Sequence, residues 1–211
     1  MDKLESIGEQ IREYLETKNA ARDRALQQTR TIIRYCSKAI RAAHRNEPDV
    51  CQENLQAATD LIATLKDTLA EYPDLFHAGY TRSALKEFVE ASVVQALLTD
   101  QALPTPEALD VDCAAYLGGL GEAAGELRRR VLDILRHDEF DEAERLLGYM
   151  GEIYGLLVTI VFPDAITDNL RRITDMVRGV TERTRGDLTT SLRQHELKMA
   201  LESVEKKLGS D

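Results

Sequence analysis

Two pairs of glutamates stand on stretches that are otherwise apolar or small. Glu87 and Glu90 lie in LKEFVEASVVQALL, and Glu122 and Glu126 lie in AYLGGLGEAAGELRRR. Spacings of three and four residues hold each pair on one helical face, ~60° and ~40° apart at 100° per residue. A carboxylate among packed helices needs a partner, and a divalent cation takes several such oxygens at once. Four carboxylates meeting across a helix–helix seam form a hard-cation cage of the kind used for phosphodiester hydrolysis. The plainer alternative is ion pairing with Lys or Arg. Glu126 with Arg130, four residues on, would be worth only about 0.3–0.5 kcal/mol.

The helices that must position these acids differ. Projected from Glu87, the first carries Leu85, Phe88, Val89, Ser92, Val93 and Ala96 opposite the acids. Ala91, Val94 and Leu98 lie on the acidic side itself, and a helix apolar nearly all round is a buried one. On the second, Leu117, Leu120, Ala124, Leu127 and Val131 form the core face. Glu122 and Glu126 project among Ala115, Gly118, Gly119 and Gly125. Each glycine inside a helix costs about 0.8–1 kcal/mol relative to Ala. Clustered small residues admit a close neighbour, either a second acidic helix or a substrate backbone.

Between Lys18 and Arg45 eight Lys or Arg stand against one acid, Asp23. Arg30, Arg34, Lys38, Arg41 and Arg45 fall within ~80° on a helix, away from an apolar stripe of Leu26, Ile33, Cys36, Ile40 and Ala43. The chain as a whole carries −10. That charge argues against a generally basic nucleic-acid coat but leaves room for one basic groove that attracts phosphates. The stripe Arg30, Arg34, Lys38 and Arg41 is therefore a candidate strand guide, the usual alternative being a solvated face. Arg129 is in line with the carboxylates and can either hold a phosphate or neutralise Glu122 or Glu126.

Other chemistry finds no support. His44, His77, His137 and His195 fit neither an E-x-x-H di-iron pattern nor H-E-x-x-H. The G-G-x-G string at 118–121 follows no strand, so it is not a dinucleotide fingerprint. Cys36, Cys51 and Cys113 are too widely spaced for a metal pattern, and their odd number suits a reducing cytosol. The start of the chain is amphipathic and charged rather than a signal peptide. The longest apolar run, near 154–162, is too short to span a membrane. The expected location is cytoplasmic.

Breaker residues divide the chain into about seven helical segments. The first covers 2–45, with a candidate interruption near 17–19. Asn46 to Pro48 form a turn into a second helix reaching about 72, and Pro73-Asp74 opens a third, reaching about 101. A loop at 103–106 leads to the short turn PEAL. Asp110 or Asp112 caps the helix of the second acidic pair, which ends near 137. An apolar segment covers 141–161, and Pro163-Asp164 starts a long C-terminal helix with a candidate break near 186–187. No run alternates with period two between turn signals, so the fold class is all-α, in one domain over 1–211.

These residues resemble the translin and translin-associated factor X (TRAX) family. The stretch YLGGLGEAAGELR at 116–128 is similar to that family's D-Y-L-x-G-x-x-D-L-x-G-E-L-x-R segment, and KEFVEA at 86–91 to its Q-E-Y-V-E-A segment. LRRITDMVRG at 170–179 is similar to a late family helix, less specifically. The resemblance covers most of the chain. It implies a seven-helix bundle of the translin type that assembles into a hollow oligomer, an octamer, around single-stranded nucleic acid. Glu87, Glu90, Glu122 and Glu126 correspond to the acids of the nuclease branch, which makes them the catalytic and metal-holding residues for Mg²⁺ or Mn²⁺. Glu122 stands where that branch has Asp, which moves the metal and bears on activity. Lacking the long insertion between the acidic helices, the chain looks like the archaeal single-gene form, which assembles from itself. The expected function is a metal-dependent endoribonuclease on single-stranded RNA, with single-stranded DNA a further substrate class. Two alternatives stay open: a non-catalytic RNA- or DNA-binding oligomer, and an all-α nucleoside-triphosphate pyrophosphohydrolase.

Overall fold

A computed structural model of the chain describes residues 2–208. Met1 and residues 209–211 of the expected domain lie outside the described residues. The described residues form six long helices, α1 (Asp2–His44), α2 (Pro48–Thr68), α4 (Gly79–Leu98), α6 (Cys113–Leu135), α7 (Phe140–Leu157) and α9 (Leu170–Leu208), and three one-turn helices, α3 (Pro73–Phe76), α5 (Pro106–Leu109) and α8 (Asp164–Thr167). No strand occurs among the described residues, as the absence of period-two patterning predicts.

Local chemistry sets the breaks. Asn46 takes a left-handed φ of 57° and Pro48 occupies the first turn of α2, so α1 reverses into α2. Asp112, not Asp110, caps α6: its side chain accepts from the Ala115 N–H at 2.8 Å, while Asp110 is the left-handed residue that ends α5.

In four places the segments differ from expectation. The expected third segment is split, because the Thr81 hydroxyl turns back to the Leu75 carbonyl at 3.1 Å and closes α3 before α4 begins. The C-terminal helix starts at Leu170, since Asp168 and Asn169 are both left-handed and end α8. It runs unbroken through Gly186, where Asp187 pairs with Arg128 at 2.8 Å and Leu188 is buried. Helix α1 is likewise continuous through Thr17 to Asn19. The Thr17 hydroxyl bonds back to the Glu13 carbonyl at 2.9 Å, and Asn19 reaches Asp23 within the helix.

The helices pack in the order α2, α1, α4, α6, with α7 and α9 against the far side of α6. Helix α4 serves two apolar clusters. Val89, Val93, Val94 and Leu97 join α6, α7 and α9, while Ala84, Leu85, Phe88 and Ala91 join α1 and α2. It is therefore buried on most of its circumference, and its two glutamates emerge where the clusters meet. Burial along α1 begins only at Ala21 and along α9 ends at Leu188. The outer turns of both helices carry exposed apolar residues at helical spacing: Leu4, Ile7, Ile11 and Leu15 on one, Leu197, Leu201, Val204 and Leu208 on the other.

Candidate metal centre and its surroundings

Glycine brings the two acidic helices together. A Cβ added at Gly119 would stand 2.6 Å from the Lys86 carbonyl oxygen and 2.6 Å from Val89 Cβ, so α6 touches the backbone of α4 there. Of the two occupants the small residues could admit, the structure has the second acidic helix. Gly121 performs the same service for Ile173 of α9, whereas Gly125 borders open space.

Through this approach Glu87, Glu90 and Glu122 each offer a carboxylate oxygen, all within 4.8 Å of one another. Glu87 and Glu90 make no hydrogen bond or ion pair among the described residues. Burial, together with the charges of Glu87, Glu122 and Glu126, pushes the Glu90 carboxyl up to about 8. Burial and the neighbouring Glu122 raise Glu87 as well. Cys36 of α1 is buried within reach of the Glu87 and Glu90 charges. Its thiol is pushed up to about 12, first by burial and then by the charges of Glu87 and Glu90. An all-oxygen set of converging, mutually repelling carboxylates fits a hard divalent cation, which would relieve both the burial and the repulsion.

Three basic side chains complete the surroundings. Lys86 Nζ lies 2.6 Å from Glu122 Oε1. Glu126, one turn along α6, stands beside the triad: His44 Nε2 donates to its Oε2 at 2.6 Å, and Arg129 lies at 3.6 Å. The His44 hydrogen bond holds the Glu126 carboxyl below its ordinary value in spite of burial. The His44 side chain is 6% exposed, and its Nδ1 is buried without a hydrogen-bond partner among the described residues. Arg130 does not pair with Glu126 as helical spacing alone would allow. Its guanidinium donates instead to the His44 carbonyl at 3.2 Å and to Asn46 Oδ1 at 3.4 Å, satisfying the end of α1.

The basic stripe forms the outer ridge of α1. Arg30, Arg34, Lys38, Arg41 and Arg45 are all exposed, and none has an ion-pair partner among the described residues. The Tyr35 ring supports Arg34 and Lys38, whose charged groups sit 5.9 and 5.8 Å from its centroid. By helical projection the ridge lies ~120–180° around α1 from Cys36, on which the Glu87 and Glu90 charges act, so it points away from the acids. On the other flank Lys38, Arg41 and Arg45 line a groove of about 430 Å³ against α2, with Tyr35, Asn54 and two acids, Glu47 and Glu53. Sequence reasoning did not single out His44 or Lys86. Only Lys86 carried any signal, its place immediately before Glu87.

No protein-family model matches the chain. It is 32% identical over 194 residues to the uncharacterized protein MJ0175 of Methanocaldococcus jannaschii, an alignment spanning 91% of this chain and 86% of that protein. The crystal structure of AfC3PO superposes with a TM-score of 0.81 at 32% identity, covering 88% of this chain and 97% of that one. The AfC3PO–duplex RNA complex gives 0.81 at 33% identity, covering 88% and 96%. C3PO is the translin/TRAX complex. The chain belongs to the translin/TRAX-like family.

Apo-NeC3PO, 20% identical with a TM-score of 0.78, has the same fold. This chain departs from the translin/TRAX segments at Lys86, Phe88, Ala115, Glu122 and Ala123, and two of these touch each other. Lys86 stands where the pattern has Gln and Glu122 where it has Asp, and the two form the 2.6 Å ion pair. The longer Glu122 side chain still reaches the triad, tethered by the residue that replaces Gln.

Proposed function

We propose that the chain is a divalent-metal-dependent endoribonuclease that works as a homo-oligomer, an octamer by family resemblance, in the cytoplasm. The observation that carries this reading is the triad, three carboxylates converging within 4.8 Å, of which two lack any partner among the described residues. Glu87, Glu90 and Glu122 would hold Mg²⁺ or Mn²⁺, with Glu126 at the edge. When bound, such an ion polarises the scissile phosphate and lowers the pKa of a coordinated water. The unpaired ridge of α1 would bind phosphates of the strand without reading its bases. AfC3PO, similar along nearly its whole length, has been captured with duplex RNA, so both single-stranded and duplex RNA belong among the substrates tested. The exposed apolar turns at the two ends of the bundle support self-assembly, because patches of this kind are usually covered by a partner. No helix is long and apolar enough to cross a membrane.

Incubation of the purified chain with end-labelled RNA and Mg²⁺ or Mn²⁺ is expected to give internal cleavage that EDTA abolishes. Intact RNA under all these conditions would sink the reading. One feature favours a non-catalytic RNA- or DNA-binding oligomer instead: Lys86 and the His44–Arg129 pair already engage two of the four acids. Calorimetry separates the two, since structural ion pairs take up no Mn²⁺.

The ridge makes its own prediction. Replacing Arg30, Arg34, Lys38 and Arg41 together by Ala should weaken RNA binding for all sequences alike. It should also flatten the dependence of log K on log salt by about 0.7 for each phosphate no longer neutralised. Anisotropy titrations over a salt series measure this, and an unchanged slope would mean the ridge is only a solvated face.

A further inference from the structure

Lys86 leaves α4 immediately before the first acid and crosses the surface of α6. Its stem lies in a notch made by Gly118, where an added Cβ would stand 2.8 Å from Cδ and 3.2 Å from Cγ. Its main-chain oxygen lies over Gly119. Two glycines, each costing a helix about 0.8–1 kcal/mol, thus surround the path of a single side chain. That path ends at Glu122, with the Lys86 side chain 29% exposed. Among the described residues Lys86 is the one cation in hydrogen-bond contact with a member of the triad.

We propose that Lys86 is the second cation of this centre: the triad takes one divalent ion per chain, and the Lys86 ammonium contacts a non-bridging oxygen of the scissile phosphate. The inference rests on the ribonuclease reading above. Three carboxylates are balanced by one ammonium and one divalent ion. A second divalent ion would need the remaining acid, Glu126, which His44 and Arg129 already hold. The charge that grows on the phosphate as water attacks then meets a donor fixed in advance by its bond to Glu122 and by the Gly118 notch. Lys86 donates hydrogen bonds and transfers no proton. The water oxygen joins phosphorus, the bond from phosphorus to the departing sugar oxygen breaks, and the proton lost by the water ends on that sugar oxygen by way of solvent.

The test compares the full chain with Lys86→Gln, Lys86→Arg and Gly118→Ala, each checked for helicity and assembly. Mn²⁺ stoichiometry comes from calorimetry and single-turnover cleavage from labelled RNA. The wild type should bind one Mn²⁺ per chain. Lys86→Gln should bind one as tightly or more tightly, its competing ammonium gone, yet cleave about 10²–10³-fold more slowly. Lys86→Arg should recover part of that loss. Gly118→Ala, which favours the helix but pushes the stem aside, should cleave more slowly with Mn²⁺ binding kept. Two ions per wild-type chain, or full cleavage by Lys86→Gln, would overturn the proposal alone. So would loss of Mn²⁺ binding in Lys86→Gln, since Lys86 would then only hold Glu122 in place. A wild-type chain that cleaves no RNA, with or without Mn²⁺ bound, would overturn the ribonuclease reading and this proposal with it.

Discussion

Glu90→Gln should reduce metal-dependent RNA cleavage by at least two orders of magnitude while making the metal-free protein more stable at pH 8. Both halves follow from one carboxyl. Glu90 projects from the most buried of the helices into a cluster where Glu87 and Glu122 repel it, and the Lys86 charge, the weakest of these influences, offsets only a part. Its folded-state value, about 8, lies above that of an unfolded glutamate, ordinarily 4.5. Between those values the folded chain holds a proton that the unfolded chain has lost. Stability is therefore full below the unfolded value and declines as pH rises through the folded one. Glu126 works in the opposite sense: its depressed value contributes stability above the unfolded range, and that contribution is lost in acid.

Discounted for the solvent that reaches the carboxyl, the cost of an ionised Glu90 is on the order of 2 kcal/mol. For a chain of this size that is several degrees in the unfolding midpoint. The metal-free wild type should thus lose stability from about pH 5 to pH 8. Saturating Mn²⁺ should restore it by about 2.7 kcal/mol at a hundredfold excess over Kd. Glu90→Gln should show a flatter pH profile, with the part due to Glu87 remaining, and a much smaller metal response. Melting curves at several pH values, with EDTA or Mn²⁺, measure all of this. A wild type whose stability is the same at pH 5 and pH 8 without metal would contradict the cost assigned to the cluster.

Gly119→Ala should be among the most damaging single-methyl additions in the molecule. Helix propensity alone predicts a gain of about 0.8–1 kcal/mol. Geometry predicts a larger loss, because the new methyl would lie 2.6 Å from the Lys86 carbonyl oxygen and from Val89 Cβ. Neither of those atoms is the free end of a flexible chain, so α4 and α6 must separate. Overpacking of this kind costs about 1–3 kcal/mol, and here it also moves Glu87 and Glu90 away from Glu122. The variant should melt several degrees lower and bind Mn²⁺ more weakly. Gly125→Ala, next to open space, serves as the control and should be neutral or stabilising. Equal behaviour of the two variants would mean that the close approach does not govern the centre.

The pattern of residues determined a good deal unaided. Periodicity and breakers are local signals, so they located the long helices and the α1–α2 turn, and narrowed the cap of α6 to Asp110 or Asp112, of which the structure uses Asp112. They also separated the acidic face of α4 from its apolar remainder. The glycines at 118 and 119 announced a close neighbour for α6. Where local signals compete, the outcome was not legible. Thr17, Asn19 and Gly186 weaken a helix in isolation but sit here in helices whose other turns carry them, and Thr81 closes α3 by reaching back six residues. The site divides along the same line. The four acids are visible because helical spacing fixes which side chains share a face. Which of them meet is decided by the distance between two helices, and three do, while Glu126 turns to His44, eighty-two residues away in the chain. Lys86 and His44 enter the centre, and Arg130 leaves it for the end of α1, because packing chooses hydrogen-bond partners across space. A sequence fixes only what lies within a few turns along the helix, and the partners of a buried charge are set by what folds against it.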